Sequence, residues 1–267
     1  MEDIKGCTAV VTGGASGIGR AIAIALSREG ARLVIADVDE AGMTETVGTI
    51  AHGGGKAVGV RTDVSNPDEV QALADRAWSA FGPVRILCNN AGVGMFGGLE
   101  TMTLRDWTWV MGVNVWGVIH GLLAFVPRMI AEGEGGHIVN TASISGLLSN
   151  AYLGAYTTTK YAVVGLSESL RKDLKAYSIG VSVLCPMGVD TRIAEAERNR
   201  PKHLKNPGNQ SFSPSLDFLG RIIPPTQVAD RVIAAIKKNE LYIITHKESL
   251  EPLRRRFRRI EDAVPSD

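Results

Sequence analysis

One helix-like stretch of the chain carries a tyrosine and a lysine at a spacing that suits proton transfer. Tyr156 and Lys160 lie four positions apart, so their side chains share one face of a helix. No other tyrosine in the chain has a lysine four positions later. An ammonium group beside a phenol favours the phenolate and brings its pKa down from about 10. The pair therefore predicts a general base that takes an alcohol proton and returns it in the reverse direction.

Ser143 is the third candidate for this site. It follows an apolar run and lies thirteen residues before Tyr156. Its hydroxyl could hold the oxygen of a substrate, while Lys160 could also bind the ribose of a cofactor. A Tyr-x-x-x-Lys pair alone is more typical of two exposed side chains on a helix. The prediction therefore depends on the elements that surround these residues.

A glycine-rich turn near the start of the chain is typical of a phosphate-binding loop. The first apolar run ends in Thr12-Gly13-Gly14-Ala15-Ser16-Gly17-Ile18-Gly19, and a helix is predicted to begin near Ile18. Glycines allow a sharp turn and bring backbone N–H groups and the positive helix end close to an anion. A tight loop without a ligand has the same composition. The turn lacks the Gly-Lys-Ser/Thr ending of nucleotide hydrolases, so a dinucleotide is favoured over a triphosphate.

Acidic residues end the second and third predicted strands. Asp37 follows the glycines by about 20 residues, the distance at which a carboxylate accepts hydrogen bonds from a ribose 2′-hydroxyl. No Arg or Lys at positions 38 and 39 could hold a 2′-phosphate, so NAD is favoured over NADP. Asp37 could also simply end a strand and cap a helix. Asp63 could contact an adenine or cap the next turn.

Short apolar runs alternate with segments of helical period along the whole chain. Seven runs predict strands: Thr8–Thr12, Ala31–Ala36, Ala57–Arg61, Ile86–Cys88, His137–Asn140, Val181–Cys185 and Leu241–Thr245. Helices are predicted between them, for example over Ile18–Glu29, Pro67–Phe81 and Tyr152–Tyr177. This alternation predicts an α/β fold: a single-domain, doubly wound, Rossmann-type sheet of seven parallel strands with helices on both faces. The polar stretch 187–225 interrupts this alternation of strands and helices. It predicts a loop or lid on the substrate side.

Composition narrows the class of protein. The 267 residues are 45% apolar and 21% charged, with a net charge of +1, which is ordinary for a globular domain and gives no global field for nucleic acid or membranes. Cys7, Cys88 and Cys185 are scattered, which predicts buried free thiols and no metal site. The N-terminus does not resemble a signal peptide, and no apolar run reaches about 18 residues. We therefore expect a cytoplasmic protein.

Together these residues resemble the short-chain dehydrogenase/reductase family, in its shorter NAD-dependent branch. The resemblance runs from Thr8 to about Thr245 and includes the glycine loop, Asp63-Val64, Asn89-Asn90-Ala91-Gly92, Asn114, Ser143 and Tyr156-x-x-x-Lys160. It implies that Asn114 holds a water that links the lysine to solvent. It also implies that Asn90, Ala91 and Gly92 lie along the cofactor, and that family members are homotetramers or homodimers.

One motif departs from the family pattern. After the sixth strand the family usually has Pro-Gly-x-Val-x-Thr, whereas this chain has Pro186-Met187-Gly188-Val189-Asp190-Thr191. Val189 and Thr191 keep their places and are expected to contact the nicotinamide amide. The displaced glycine puts the local backbone path in question.

The loops after strands four, five and six predict the substrate pocket. Besides Ser143 and Tyr156, the expected lining is apolar: Val93, Met95, Phe96, Ile144, Leu148 and Met187. Each could equally fill the core. The lining favours a bulky or aryl secondary alcohol, or its ketone. Two short stretches, Arg192–Ala196 and Leu241–Ile244, are also similar to bacterial dehydrogenases that oxidise benzylic alcohols of lignin-derived aryl compounds.

The predicted function is hydride transfer between NAD and a hydrophobic secondary alcohol or ketone. Two alternatives remain: a catalytically idle dinucleotide-binding sensor or scaffold, and an NADP-dependent carbonyl reductase. Asp37 argues against the second. The arginine-rich tail 254–259 is flanked by acidic residues, so it predicts a solvated helix face or a subunit contact rather than a nucleic-acid or lipid site.

Overall fold

The computed structural model describes residues 1, 3–207 and 220–265. The strands in chain order are β1 (Thr8–Thr12), β2 (Arg32–Asp37), β3 (Lys56–Arg61), β4 (Val84–Asn89), β5 (Gly136–Thr141), β6 (Ile179–Cys185) and β7 (Tyr242–Ile244). They form one sheet in the order β3-β2-β1-β4-β5-β6-β7, and all neighbouring pairs are parallel. The predicted doubly wound sheet is confirmed, and the strand order reverses between β1 and β4.

Helices cover both faces of the sheet. They are α1 (Gly17–Arg28), α2 (Glu40–His52), α3 (Pro67–Phe81), α4 (Leu104–Met111), α5 (Gly117–Glu132), α6 (Gly154–Asp173), α7 (Pro225–Lys238) and α8 (Leu250–Glu261). On β1, Ala9 and Val11 pack in the core cluster that contains Ile22 of α1, whereas Val10 packs in the cluster that contains Phe125 of α5. This alternation follows from the two-residue period of a strand.

The element boundaries follow the sequence closely, with one instructive difference. β1 and α3 have the predicted bounds, and the other strands differ from prediction by one or two residues at their ends. The helix predicted over Tyr152–Tyr177 instead begins at Gly154 and ends at Asp173, and a 3₁₀ turn follows over Leu174–Tyr177. The predicted start of this helix at Tyr152 is wrong, because Tyr152 has a φ of 62°, which a right-handed helix cannot contain.

A π-helical turn joins α4 to α5. It spans Gly112–Trp116, so residues 104–132 form one continuous helical segment. By length and composition alone this segment could cross a membrane, but more than half of its most apolar window is buried within the fold. A mostly buried apolar helix of this kind is typical of the core beside a sheet.

The stretch 187–225 has more structure than the predicted loop. It contains 3₁₀ turns over Ile193–Asn199 and Lys202–Leu204, and its two ends meet in a parallel bridge between Val189 and Ile223. Residues 208–219 of the predicted lid lie outside the described residues. The arginine-rich tail lies on α8, where Leu253 is buried and most of the arginines are exposed. The three cysteines are free and buried, as predicted.

His137 of β5 is buried inside the sheet layer. Its Nε2 atom lies 2.8 Å from the Ser182 hydroxyl of β6, and its Nδ1 atom has no hydrogen-bond partner. Burial lowers the pKa of His137 to about 3. The neutral imidazole therefore persists in the folded protein at pH values where an exposed histidine becomes charged.

We expect His137 to make the folded state sensitive to mild acid. The unfolded chain protonates this histidine near pH 6.5 and the folded chain only near pH 3, so the free energy of unfolding falls as pH drops between these values. The contribution is about 1.4 kcal/mol per pH unit. His137→Gln should reduce the slope of unfolding free energy against pH, measured by urea denaturation at pH 7, 6 and 5.

His52→Gln is the matched control, because His52 is exposed on α2. Its slope should equal that of the unchanged protein. Equal slopes for His137→Gln and the unchanged protein would contradict the assignment of this acid sensitivity to His137.

Candidate active site

A cavity of about 1020 Å³ opens along the carboxyl edge of the sheet. Its walls come from the segments that follow β1, β2, β3, β4, β5 and β6, on both sides of the point where the strand order reverses. Open α/β sheets bind ligands in this crevice, because the loops on its two sides diverge there. The predicted dinucleotide loop and three of the predicted catalytic residues, Ser143, Tyr156 and Lys160, therefore face one common space.

The glycine loop after β1 is fixed against the loop after β4. The Thr12 hydroxyl accepts hydrogen bonds from the backbone N–H groups of Asn90 (3.0 Å) and Ala91 (3.1 Å), and the Asn90 amide donates to the Thr12 carbonyl at 3.0 Å. Gly13 has a φ of +67°, and a Cβ atom there would lie 2.7 Å from the Ala91 Cα atom. Any side chain at Gly13 would force these loops apart.

The start of α1 leaves room for an anion. Gly17 also has a positive φ, and the Thr191 side chain lies directly beside it. Ser16, Gly17, Ile18 and Gly19 line the cavity at the positive end of the helix. The dinucleotide fits this site, because the bare glycine backbone and the helix end together form a cradle for a pyrophosphate.

The Asp37 carboxylate lies at the same end of the cavity. Its oxygens accept hydrogen bonds from the N–H groups of Ala15 (2.9 Å) and Asp39 (3.0 Å), which fix its orientation. Asp63 and Val64 also line the cavity. Asp63 accepts hydrogen bonds from the Ser65 N–H and hydroxyl at 2.9 and 2.7 Å, so it caps the turn into α3 as well as facing the cavity.

Ser143, Tyr156 and Lys160 converge at the other end of the cavity. Ser143 and Tyr156 both line the cavity there, and the Lys160 Nζ atom lies 5.5 Å from the centre of the Tyr156 ring. Lys160 is buried and donates to the Thr141 carbonyl at 3.0 Å. The helix α6 places Tyr156 and Lys160 on one face, and the end of β5 brings Ser143 to the phenol.

Burial shifts the pKa values of both titratable groups at this end. It raises the pKa of Tyr156 to about 12, although the nearby Ser143 hydroxyl lowers it. It lowers the pKa of Lys160 to about 8. The direction at Tyr156 is opposite to that expected from the Tyr–Lys pair alone. Removal of the phenolate from water costs more than the ammonium group at this distance restores.

Asn114 lies in the π-helical turn behind these residues. It is buried and absent from the cavity wall. Its carbonyl oxygen accepts from the Val93 N–H (2.8 Å), and its amide donates to the Val93 carbonyl (3.0 Å) and to the Thr159 hydroxyl (3.1 Å). Asn114 therefore ties the loop after β4 to α6. Interruptions of this kind in a helix frequently mark functional sites.

The predicted substrate residues divide into two groups. Val93, Phe96, Ile144 and Met187 line the cavity together with Ser143 and Tyr156. Met95 and Leu148 do not line it. Met95 instead belongs to a small buried cluster with Trp109, because neighbouring loop residues project in different directions. Leu148 is half-buried after the 3₁₀ turn Ile144–Gly146, and Leu153 lines the cavity instead.

Sequence reasoning missed a further part of the wall. Trp109 and Met111 of α4 and Ala194, Ala196 and Leu204 of the stretch after β6 line the cavity. No motif marks them, since their position depends on how distant segments pack. Within residues 1, 3–207 and 220–265, no group of three or more His, Cys, Asp or Glu side chains could hold a metal ion.

Comparison with known proteins decides the family. The family model described as short chain dehydrogenase matches residues 7–202. The chain belongs to the short-chain dehydrogenase family. It is 37% identical to a C alpha-dehydrogenase of Sphingobium sp. strain SYK-6, over 99% of this chain and 88% of that protein.

Solved structures of other short-chain dehydrogenases agree with the fold. A short-chain dehydrogenase/reductase from Burkholderia phymatum in complex with NAD superposes with a TM-score of 0.92 at 44% identity, covering 100% of this chain and 99% of that one. A metagenomic short-chain oxidoreductase in complex with NADP has a TM-score of 0.73 at 32% identity, covering 90% and 95%. The chain is therefore an oxidoreductase of a family that binds a nicotinamide dinucleotide.

The displaced glycine of this family member does not disturb the strand end. The Pro186 carbonyl accepts from the Ile144 N–H at 2.8 Å, and the Met187 N–H donates to the Thr245 hydroxyl at 3.2 Å. Neither Met187 nor Gly188 has a positive φ, so the backbone conformation at both positions is open to residues other than glycine. Val189 and Thr191 both line the cavity, as the family pattern predicts.

We expect Asn114→Ala to destabilise the protein strongly. The change leaves the buried N–H and carbonyl groups of Val93 unpaired, at a cost of about 2–3 kcal/mol in the free energy of unfolding. Chemical denaturation measures this loss. Thr159→Val is the comparison variant, because it keeps both contacts of Asn114 with Val93. It removes the third hydrogen bond of Asn114 and the bond from the Thr159 hydroxyl to the Tyr156 carbonyl, and should cost about 1–2 kcal/mol. Equal losses in the two variants would show that the contacts with Val93 are unimportant.

Proposed function

We propose that this oxidoreductase transfers a hydride between NAD and a bulky, hydrophobic secondary alcohol or the corresponding ketone. The observation that carries the proposal is the convergence of Ser143, Tyr156 and Lys160 in the cavity that also contains the glycine loop. A catalytically idle binding protein has no need of a buried lysine beside a half-buried phenol, because both groups lose hydration there.

The three side chains have distinct roles in this proposal. The Ser143 hydroxyl holds the substrate oxygen, and the Tyr156 hydroxyl takes the alcohol proton or returns it. Lys160 supplies a positive charge beside the phenol, and its pKa of about 8 keeps most of it protonated at pH 7. When bound, NAD⁺ supplies the hydride acceptor and a second positive charge. Burial raises the pKa of Tyr156. The positive charges of Lys160 and of bound NAD⁺ both act to lower it.

The shape and lining of the cavity support a hydrophobic substrate. Its volume is at the upper end of the range for ligand sites, which leaves space for a substrate beside a dinucleotide. Val93, Phe96, Trp109, Ile144 and Met187 offer apolar surface around the catalytic end. The name of the Sphingobium relative, a C alpha-dehydrogenase, is consistent with oxidation at a carbon that bears a hydroxyl.

The carboxylates at the opposite end support NAD rather than NADP. Asp37 and Asp39 both line the cavity, and a 2′-phosphate beside them would meet two negative charges. The Arg20 side chain offers no compensation, because it donates to the carbonyls of Ala15 and Gly42 and to the Thr46 hydroxyl. Its guanidinium does not line the cavity.

We expect Tyr156→Phe to abolish turnover. The protein is mixed with NAD and a panel of secondary alcohols that includes benzylic ones, and NADH is followed by absorbance. Loss of the general base should lower kcat by about 10²- to 10⁴-fold while NAD binding persists. Tyr161→Phe is the control, because Tyr161 lies one position beyond Lys160 and does not line the cavity. If the unchanged protein binds NAD tightly but turns over no alcohol in the panel, the sensor alternative is favoured.

We expect Asp37→Asn to weaken the preference for NAD. The change removes the negative charge but keeps one acceptor oxygen, so the ratio of kcat/KM for NAD to that for NADP should fall by about 10- to 100-fold, the worth of a charged hydrogen bond. Asp39→Asn should change the ratio less, since Asp39 already caps α2 through the Gly42 N–H at 3.1 Å. An unchanged ratio in Asp37→Asn would rule out Asp37 as the selecting group.

A further inference from the structure

One wall of the cavity is formed by a segment far from any motif. The 3₁₀ turns between Ile193 and Leu204, here called the far-wall segment, line the same cavity as the catalytic residues. Ala196 and Leu204 of this segment pack in the small cluster that also contains Trp109 and Tyr156. These apolar contacts are few, because most side chains between Arg192 and Leu204 are exposed.

A buried ion pair holds this segment to α4. Arg200 donates to the Asp106 carboxylate at 2.6 Å, and their side chains are only 3% and 7% exposed. The Arg200 guanidinium also lies 5.0 Å from the centre of the Trp109 ring, which lines the cavity, and donates to Glu197 at 2.9 Å. The pair therefore joins the far-wall segment, α4 and the cavity lining at one point.

Hydrogen bonds stabilise the ionised form of the Asp106 carboxyl group at this buried position. It accepts hydrogen bonds from the Asn206 amide at 2.9 Å and from the Thr103 N–H at 2.8 Å, in addition to Arg200. Burial alone would raise the pKa of Asp106, but these hydrogen bonds outweigh it and hold the pKa below its ordinary value. The two terminal nitrogens of the Arg200 guanidinium are paired, whereas its Nε atom has no partner. A buried ion pair of this kind contributes little net stability, yet it restricts the arrangement of its partners.

The ends of the stretch that contains the far-wall segment are anchored independently. Val189 and Ile223 form a parallel bridge, and the Met187 N–H donates to the Thr245 hydroxyl. The buried His246 ring contacts both the Thr245 hydroxyl (2.7 Å) and the Arg221 carbonyl (2.8 Å). Loss of the Arg200–Asp106 pair would therefore release the wall without detaching its ends from the sheet.

We propose that Arg200 and Asp106 are a positioning pair that fixes the far wall of the substrate compartment and so determines selectivity for bulky alcohols. This inference rests on the proposed function. A large substrate fills the compartment and requires the wall in place, since small misplacements of a binding surface cost much of the catalytic advantage. A small alcohol reaches Ser143 and Tyr156 without touching that wall. The cofactor end of the cavity lies mainly in the loops after β1, β2 and β3, and Thr191, which is beside Gly17, precedes the far-wall segment.

The kinetic test uses Arg200→Met, which keeps the length and apolar stem of the side chain. With 1,2-diphenylethanol as the bulky probe, KM should rise about 10-fold or more. With 2-butanol, kcat and KM should stay within about twofold, as should KM for NAD. Arg200→Lys should lie between the two, because it keeps the charge but cannot reach Asp106 and Glu197 together. Equal changes for both alcohols, or none, would overturn the inference.

Arg105→Met is the matched control. Arg105 lies beside Asp106 and donates to the Lys205 carbonyl at 3.0 Å, but it is exposed and does not line the cavity. Arg105→Met therefore removes one positive charge and one contact between α4 and the stretch 187–225. Its kinetics with both alcohols should match those of the unchanged protein. A KM shift like that of Arg200→Met would assign the effect to charge rather than to the buried pair.

Limited trypsin digestion tests the wall without any substrate. Cleavage after Arg198, Lys202 and Lys205 should become at least several-fold faster in Arg200→Met but not in Arg105→Met. The substitution removes no cleavage site, because Pro201 follows Arg200 and blocks trypsin there. Unchanged cleavage would overturn the inference even if the kinetics shifted. If no alcohol is turned over by the unchanged protein, the proposed function fails, whereas the digestion still decides whether the pair fixes the wall.

Discussion

The contact between the loops after β1 and β4 is the constraint on which the rest of the site depends. The Thr12 hydroxyl receives the N–H groups of Asn90 and Ala91, and Gly13 leaves no room for a side chain between the two loops. The strands are neighbours at the point where the sheet order reverses. This contact fixes the spacing of the two loops on either side of the crevice, where the dinucleotide loop faces the residues after β4.

The catalytic end is organised around buried polar groups that find partners. Asn114 satisfies both backbone groups of Val93, and Lys160 donates to the Thr141 carbonyl. The same burial moves the pKa of Tyr156 up and that of Lys160 down. The protein thus holds a neutral phenol and a readily titrated lysine side by side. A positive charge near the phenol then lowers the pKa of Tyr156 strongly, because little water screens the charge.

The two sides of the cavity are held in different ways. Sheet, α1 and α6 form the side that carries the glycine loop and Tyr156, and this side rests on the main core. The far-wall segment rests on a small cluster, on the buried ion pair of Arg200 with Asp106, and on hydrogen bonds of the adjoining Lys205 and Asn206 with α4. A rigid catalytic side and a separately held substrate side allow one family to use the same chemistry on different substrates.

The sequence by itself determined the sheet, the dinucleotide loop and the grouping of Ser143, Tyr156 and Lys160. These features depend on periods of two and 3.6 residues and on glycines at strand ends, which are encoded within a few neighbouring positions. Tertiary structure alone decided that Met95 points into a core cluster, that Tyr152 precedes α6, and that Arg200 meets Asp106 across 94 residues. Such contacts depend on the path of the whole chain, which no local pattern contains.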